Sequence, residues 1–213
     1  MRVLLSWLRE FLPSEAAPVT AAEAAERLTM AGITVAGLTV ADDDAILELD
    51  LTTNRPDALG HYGVARELAA ASGGRVQPLA ASQPALRESG GPADAALRVI
   101  IETEDCARYC ARVLEGQQAG PGPAVVRQRL EALGQRTIHP AADLTNYTLW
   151  ELGHPTHAFD AAALAGGEIR VRRARRGETL VTLDEIERRL DPEDLVIADA
   201  HKPVALAGVM GGL

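Results

Sequence analysis

The sequence predicts an α+β protein of two units: a small N-terminal α/β unit, then an α+β unit with a mostly antiparallel sheet. Three observations predict it. Helical and strand periodicities alternate before position 75. A stretch over about 76–95 is rich in Gln, Ser, Pro, Gly and Ala, has no periodicity, and reads as a linker. Beyond it, short β segments joined by Gly-, Glu- and Pro-containing turns dominate. The domains are placed accordingly at 1–75 and 96–213, with the linker at 76–95.

In chain order, "RVLLSWLREFL" places Val3, Leu4, Leu5, Trp7, Leu8, Phe11 and Leu12 near helical spacing, and Pro13 stops that helix. Thr20 then caps "AAEAAERLTMAG", with Glu23 at the capping-box position and Gly32 closing the helix. "ITVAGLTV" and "AILELDL" read as strands separated by the acidic turn Asp42, Asp43 and Asp44. Pro56 suits the first turn of a helix whose apolar stripe, Val64, Leu68 and Ala71, ends at Gly73 and Gly74. In the second unit "LRVIIET" and "CARYCARVLEG" are strand-like. "PAVVRQRLEALGQ" is a helix from Pro123 to Gly134, with Val126, Leu130 and Leu133 on one face. "EIRVRRA", "TLVTLD" and "DLVIADAHKPVALAGVMGG" supply the remaining strands, and the closing "GVMGGL" reads as a turn into a further element.

Composition limits function. The 213 residues are 47% hydrophobic and 3% aromatic, and the net charge is −9. A strongly acidic chain is a poor general ligand for nucleic acid, because phosphate contacts require concentrated Lys and Arg. "RVRRARRGE", 170–178, is the one dense basic strip, and it reads as a strand edge and turn with solvated charges. Cys106 and Cys110 make neither a disulfide framework nor a zinc set and read as small, reduced, apolar residues. The apolar start carries Arg9 and Glu10 and lacks a small-residue cleavage site, so it does not read as a leader, and no stretch reaches membrane-spanning length. A reducing cytoplasm is the compartment this composition fits.

The chemistry concentrates in "DLTNYTLWELGHPTHAFD", 143–160. His154 and His157 are three apart, which on a helix would present two metal ligands on one face. Pro155 between them and Gly153 before them oppose that helix. The spacing thus weighs against a metal-dependent hydrolase, and no metal ligand is assigned. No nucleophile elbow, phosphate loop or dinucleotide fingerprint is present. There remains a metal-free set, Thr145, Asn146 and His157, whose hydroxyl, amide and imidazole suit holding a water and a carbonyl in ester cleavage. The alternative is local: Asp143 and Asn146 as turn or cap residues and His157 as a packing residue.

Four segments in order, "ELDLTTNRPDALGHYGVARELAA", "DLTNYTLWELGHPTHAFD", "IRVRRARRGETLVTLD" and "LVIADAHKPVALAGVMGG", resemble the N-terminal half of the bacterial phenylalanyl-tRNA synthetase beta subunit, as do "LLSWLREFLP" and "AAERLTMAGITVAGL". The resemblance implies an α2β2 ligase, with ATP and magnesium used by the whole enzyme and no cofactor in this chain. Its partners would be the alpha subunit, which holds the synthetic site, and tRNA(Phe), with no membrane. It further implies that 96–213 is the editing domain, incomplete at its C-terminus, which hydrolyses tyrosine wrongly attached to that tRNA. Such a second pocket is needed because an apolar pocket rejects an added hydroxyl by only about a hundredfold. By resemblance the pocket is lined by Thr145, Asn146, Pro155, His157 and Gly208. His157 and Asn146 would position water or ester, and the Gly208 backbone would receive the tyrosine side chain.

The sequence departs from that family in three ways. The inserted tRNA-binding domain is absent, since "AGLTVADDDAILELD" runs straight through. The family's glutamate for the tyrosine hydroxyl lies past "GVMGG". His154 stands where Gln is usual and Glu185 where Gly commonly follows Leu-Asp. A free-standing editing or binding module of the same fold, acting without an alpha subunit, is the alternative reading.

Overall fold

A computed structural model describes residues 1–14, 19–41, 44–79, 91–115 and 120–213. Most of the expected linker, at 80–90, and Asp42 and Asp43 of the acidic turn lie outside the described residues. The chain forms two compact units, each discontinuous in sequence: Met1–Leu86 with Ala119–Ala158, and Arg87–Gln118 with Phe159–Leu213.

In the first unit β1 (Arg2–Leu4) precedes α1 (Leu5–Phe11), so the helix expected from residue 2 begins three residues later. The reason is non-local. In the order β1-β3-β2, β3 (Asp44–Asp50) is the middle strand, and Arg2, Val3 and Leu4 pair antiparallel with Glu48, Leu47 and Ile46. Without them the buried edge of β3 would leave backbone groups unbonded, a larger penalty than the helical bonds forgone. α1 ends at Phe11, and Leu12 after it is extended, as a residue before proline favours.

α2 (Ala21–Met30) carries the full capping box: Thr20 accepts from the Glu23 amide, and Glu23 accepts from the Thr20 amide at 2.8 Å. β2 (Thr34–Ala41) pairs antiparallel with β3 around a bulge between Val35 and Gly37. A 3-10 turn with Pro56 at its start leads to α3 (His61–Ala71). α4 (Ala124–Ala132) and α5 (Pro140–Leu152) complete the unit. Its core gathers Val3, Trp7, Leu8, Leu28, Leu47, Val64 and Leu68, all at 0% exposure. Apolar burial of this kind contributes about 25 cal/mol per Å².

The second unit holds a five-stranded sheet, order β10-β9-β8-β5-β4. β4 (Arg98–Ile101) runs parallel to β5 (Glu168–Arg173), while β8 (Leu195–Ala198), β9 (Pro203–Leu206) and β10 (Met210–Gly211) continue antiparallel. β6 (Thr179–Val181) and β7 (Glu187–Arg189) form a separate ribbon. The mostly antiparallel α+β class is as expected. The described part of the "CARYCARVLEG" segment, 106–115, is not a strand; the Cys106 thiol donates to the Arg108 carbonyl at 3.4 Å, and Arg108 Nε donates to Cys110 Sγ at 3.2 Å. Among the described residues no helix is long and apolar enough to cross a membrane.

Candidate active site

The polar stretch singled out in the sequence is helix α5 as far as Leu152, a helix the sequence reading did not place there. Pro140 sits at its first position, where the missing amide is no loss. The His139 side chain accepts from the Ala141 amide at 3.3 Å, and buried Asp143 accepts from the Ile138 amide at 3.0 Å. Asp143, Tyr147 and Trp150 follow one another at helical spacing, and the two aromatics pack on the first unit's core.

That inward face sets the orientation of the rest. Trp7, fully buried, is stacked by His61 at 4.0 Å and meets Tyr147 at 4.4 Å, with the Arg129 guanidinium 4.8 Å above its ring. Arg129 also donates to the Tyr147 hydroxyl at 2.6 Å. With α5 pinned from this side, Asn146 falls on its flank. Thr145 falls on the outward face with Leu149 and Leu152, which are partly exposed. The Thr145 hydroxyl donates to the Ala142 carbonyl at 2.8 Å, so its lone pairs remain available as acceptors.

Gly153 ends α5 in the left-handed conformation, φ 71°. A Cβ on Gly60 would stand 2.4 Å from the Gly153 nitrogen and 2.6 Å from the Leu152 carbonyl carbon, so the two backbones touch only because neither residue has a side chain. This turn delivers Pro155 and His157 within five residues of the helix end. His157 is exposed on this segment, and partial desolvation lowers its pKa below that of a free imidazole, which favours the neutral ring that can accept a proton. His154 is exposed on the same irregular segment.

Thr145 and Asn146 are therefore neighbours on one helix, and Pro155 and His157 follow it in the same unit. Gly208 belongs to the other unit, in the turn between β9 and β10 with φ 70°, and a Cβ there would meet open space. Among the described residues no group of three or more His, Cys, Asp or Glu is placed to hold a metal ion. Sequence reading passed over Tyr147 and Trp150, the residues that aim the helix. Their spacing from Asp143 carried the signal.

Comparison with known proteins gives one consistent picture. A family described as "B3/4 domain" matches residues 105–213. The phenylalanine–tRNA ligase beta subunit of Anaeromyxobacter dehalogenans is 54% identical over 171 residues, 80% of this chain and 21% of that protein. That of Moorella thermoacetica is 47% identical over 203 residues, 95% of this chain and 23% of that protein. The crystal structure of an N-terminal fragment of the phenylalanyl-tRNA synthetase beta subunit from Pyrococcus horikoshii aligns with a TM-score of 0.50 at 14% identity, covering 100% of this chain and 62% of that one. At that identity the likeness is one of fold. The chain spans about a fifth of the length of the curated relatives it matches.

Proposed function

Since the chain belongs to the B3/4-domain family and corresponds to the editing-domain region of the bacterial phenylalanine–tRNA ligase beta subunit, we propose that it serves the hydrolysis of tyrosine wrongly esterified to tRNA(Phe). The functional domain is 96–213, with 1–75 as the N-terminal domain and 76–95 as the linker. In the whole enzyme this region works beside an alpha subunit that joins phenylalanine to tRNA(Phe) with ATP and magnesium, as an α2β2 assembly in the cytoplasm.

The reading is supported by the placement of Thr145 and Asn146 on α5, a helix seated on its unit's core through Tyr147 and Trp150, with His157, whose pKa desolvation lowers, five residues beyond its end. Such groups suit ester hydrolysis. The imidazole accepts a proton from water as its oxygen bonds to the ester carbonyl carbon, the ester C–O bond breaks, and the proton passes to the departing ribose oxygen. His157 and Asn146 position the water or the ester, Thr145 supplies a further polar wall, and Pro155 borders the place of the amino-acid side chain.

The test is made in an intact beta subunit with its alpha partner. His157→Ala lengthens the lifetime of Tyr-tRNA(Phe) by about a hundredfold while phenylalanine activation stays unchanged. An unaltered Tyr-tRNA(Phe) lifetime removes His157 from the site.

A further inference from the structure

The basic strip of β5 and its following turn is largely neutralised within its own unit. Arg170 pairs with Glu102 and, at 2.5 Å, with Glu168. Arg172 makes a two-pronged contact with Glu178 at 2.7 and 2.8 Å. Arg173 meets Asp105 at 2.8 Å and Glu193 at 3.3 Å. On the β6–β7 ribbon, Arg188 pairs with Asp184 at 2.6 Å. Arg176 and Arg189 differ. Both are exposed, and among the described residues neither side chain has an ion pair or hydrogen bond.

These two arginines line one open concavity of about 350 Å³, together with Gly177, Leu190, Asp191 and Pro192. The ribbon fixes how they meet. Arg189 lies opposite Thr179 in the ladder, and the Leu190 amide donates to the Glu178 carbonyl at 3.0 Å, which extends the pairing by one step. The 175–178 turn, closed by the Glu178 amide on the Arg175 carbonyl at 3.1 Å, thus stands beside the 190–192 segment. Arg176 comes from one side and Arg189 from the other. Asp191 is the one carboxylate in the lining, and it is engaged locally, accepting from the Glu193 amide at 3.0 Å. Two guanidinium groups against one carboxylate leave the concavity cationic.

Acidic residues outnumber basic ones by 30 to 21 in this chain, so two adjacent arginines without a carboxylate partner run against its charge balance. The guanidinium fork matches phosphate oxygens in shape as well as charge. We propose that the Arg176–Arg189 concavity binds the phosphodiester backbone of an RNA strand. The inference rests on the reading that this region receives a charged tRNA, and it assigns one place where that RNA is held.

The experiment measures binding of a fluorescent tRNA(Phe) transcript to the full 213-residue chain across a salt series, without any hydrolysis readout. The Arg176→Gln/Arg189→Gln variant is compared with Arg173→Gln/Arg188→Gln, which removes the same charge from arginines already paired at the surface. The first variant weakens binding about tenfold at low salt and reduces the slope of log K against log salt by about 1.5, as the loss of two phosphate contacts requires. The control leaves both quantities unchanged. Equal losses in the two variants, or an unchanged slope in the first, overturn the site. Wild-type protein that binds inorganic phosphate but not RNA overturns the choice of ligand, and wild-type protein that binds neither overturns the proposal outright. Because affinity is read without hydrolysis, failure of the editing reading appears separately, in the response of Tyr-tRNA(Phe) lifetime to His157→Ala.

Discussion

The imidazole of His61 donates from Nδ1 to the carbonyl oxygen of Trp150 across 2.7 Å. Its tautomer is fixed from the other side, because Nε2 accepts the Leu4 amide at 3.0 Å. One fully buried ring therefore ties the first strand of the chain to the last turn of α5, the helix that carries Thr145 and Asn146. It does so only while neutral, since a protonated ring has no acceptor to offer Leu4.

Burial lowers the His61 pKa from 6.5 to about 4, against a partial opposing effect of the Trp150 carbonyl. The folded state thus binds fewer protons than the unfolded one across this window. The associated stability is full above about pH 6.5 and is lost as pH falls toward 4, a change of about 3 kcal/mol. Urea unfolding from neutral to acid pH checks this. In His61→Gln that part of the pH slope disappears.

Gly60→Ala is expected to destabilise the first unit by about 2–3 kcal/mol. The new methyl group meets backbone at Gly153 and Leu152, which has no rotamer to adopt. The measurement is the shift in thermal midpoint. A loss of only a few tenths of a kcal/mol would mean that the contact between α5 and the start of α3 is loose.

Glu185→Gly is expected to stabilise the second unit. Glu185 is the one non-glycine residue with positive φ among those described, at 62°, in a turn closed by the Glu185 amide on the Thr182 carbonyl at 2.8 Å. Glycine removes left-handed strain of about 1–3 kcal/mol at an entropic cost of about 0.5–1 kcal/mol. A net gain near 1 kcal/mol should appear as a raised thermal midpoint.

The pH profile of Tyr-tRNA(Phe) hydrolysis in an intact subunit tests His157 in another way. Its pKa is held below 6.5 by desolvation, so the acid limb of the rate lies below that of a free imidazole and the rate is flat through neutral pH. A limb centred above pH 6.5 would assign the proton transfer to a different group.

What was legible in the sequence was local. The Thr20–Glu23 capping box and Gly32 involve bonds within a single helix and its flanks, and they are found where their spacing places them. The start of α1 was not legible, because Val3 chooses strand over helix through its pairing with Leu47, far along the chain. At the site, residue types alone left Thr145, Asn146 and His157 open to a purely structural reading, and the family resemblance gave them their roles. The helix that carries Thr145 and Asn146 was not legible, because Gly153 and Pro155 oppose helix just beyond it and the series Asp143, Tyr147 and Trp150 is seated by the distant residues Trp7 and His61. The contact between Gly60 and Gly153 joins two distant turns, and no short window of sequence contains it.

The discontinuity of the first unit has a consequence for biosynthesis. Trp7 and His61 leave the ribosome long before Tyr147 and Trp150, which cover and bond them. At about 5–20 residues per second, the interval between His61 and Trp150 lasts roughly 4–18 seconds. Through that interval an unsatisfied histidine and one face of an indole are left open on the nascent chain. Contacts of such sequence separation slow folding and expose partly built surfaces to aggregation. Synthesis at a reduced temperature, or with chaperones that shield apolar surface, should therefore raise the soluble yield more than stabilising substitutions in the second unit would.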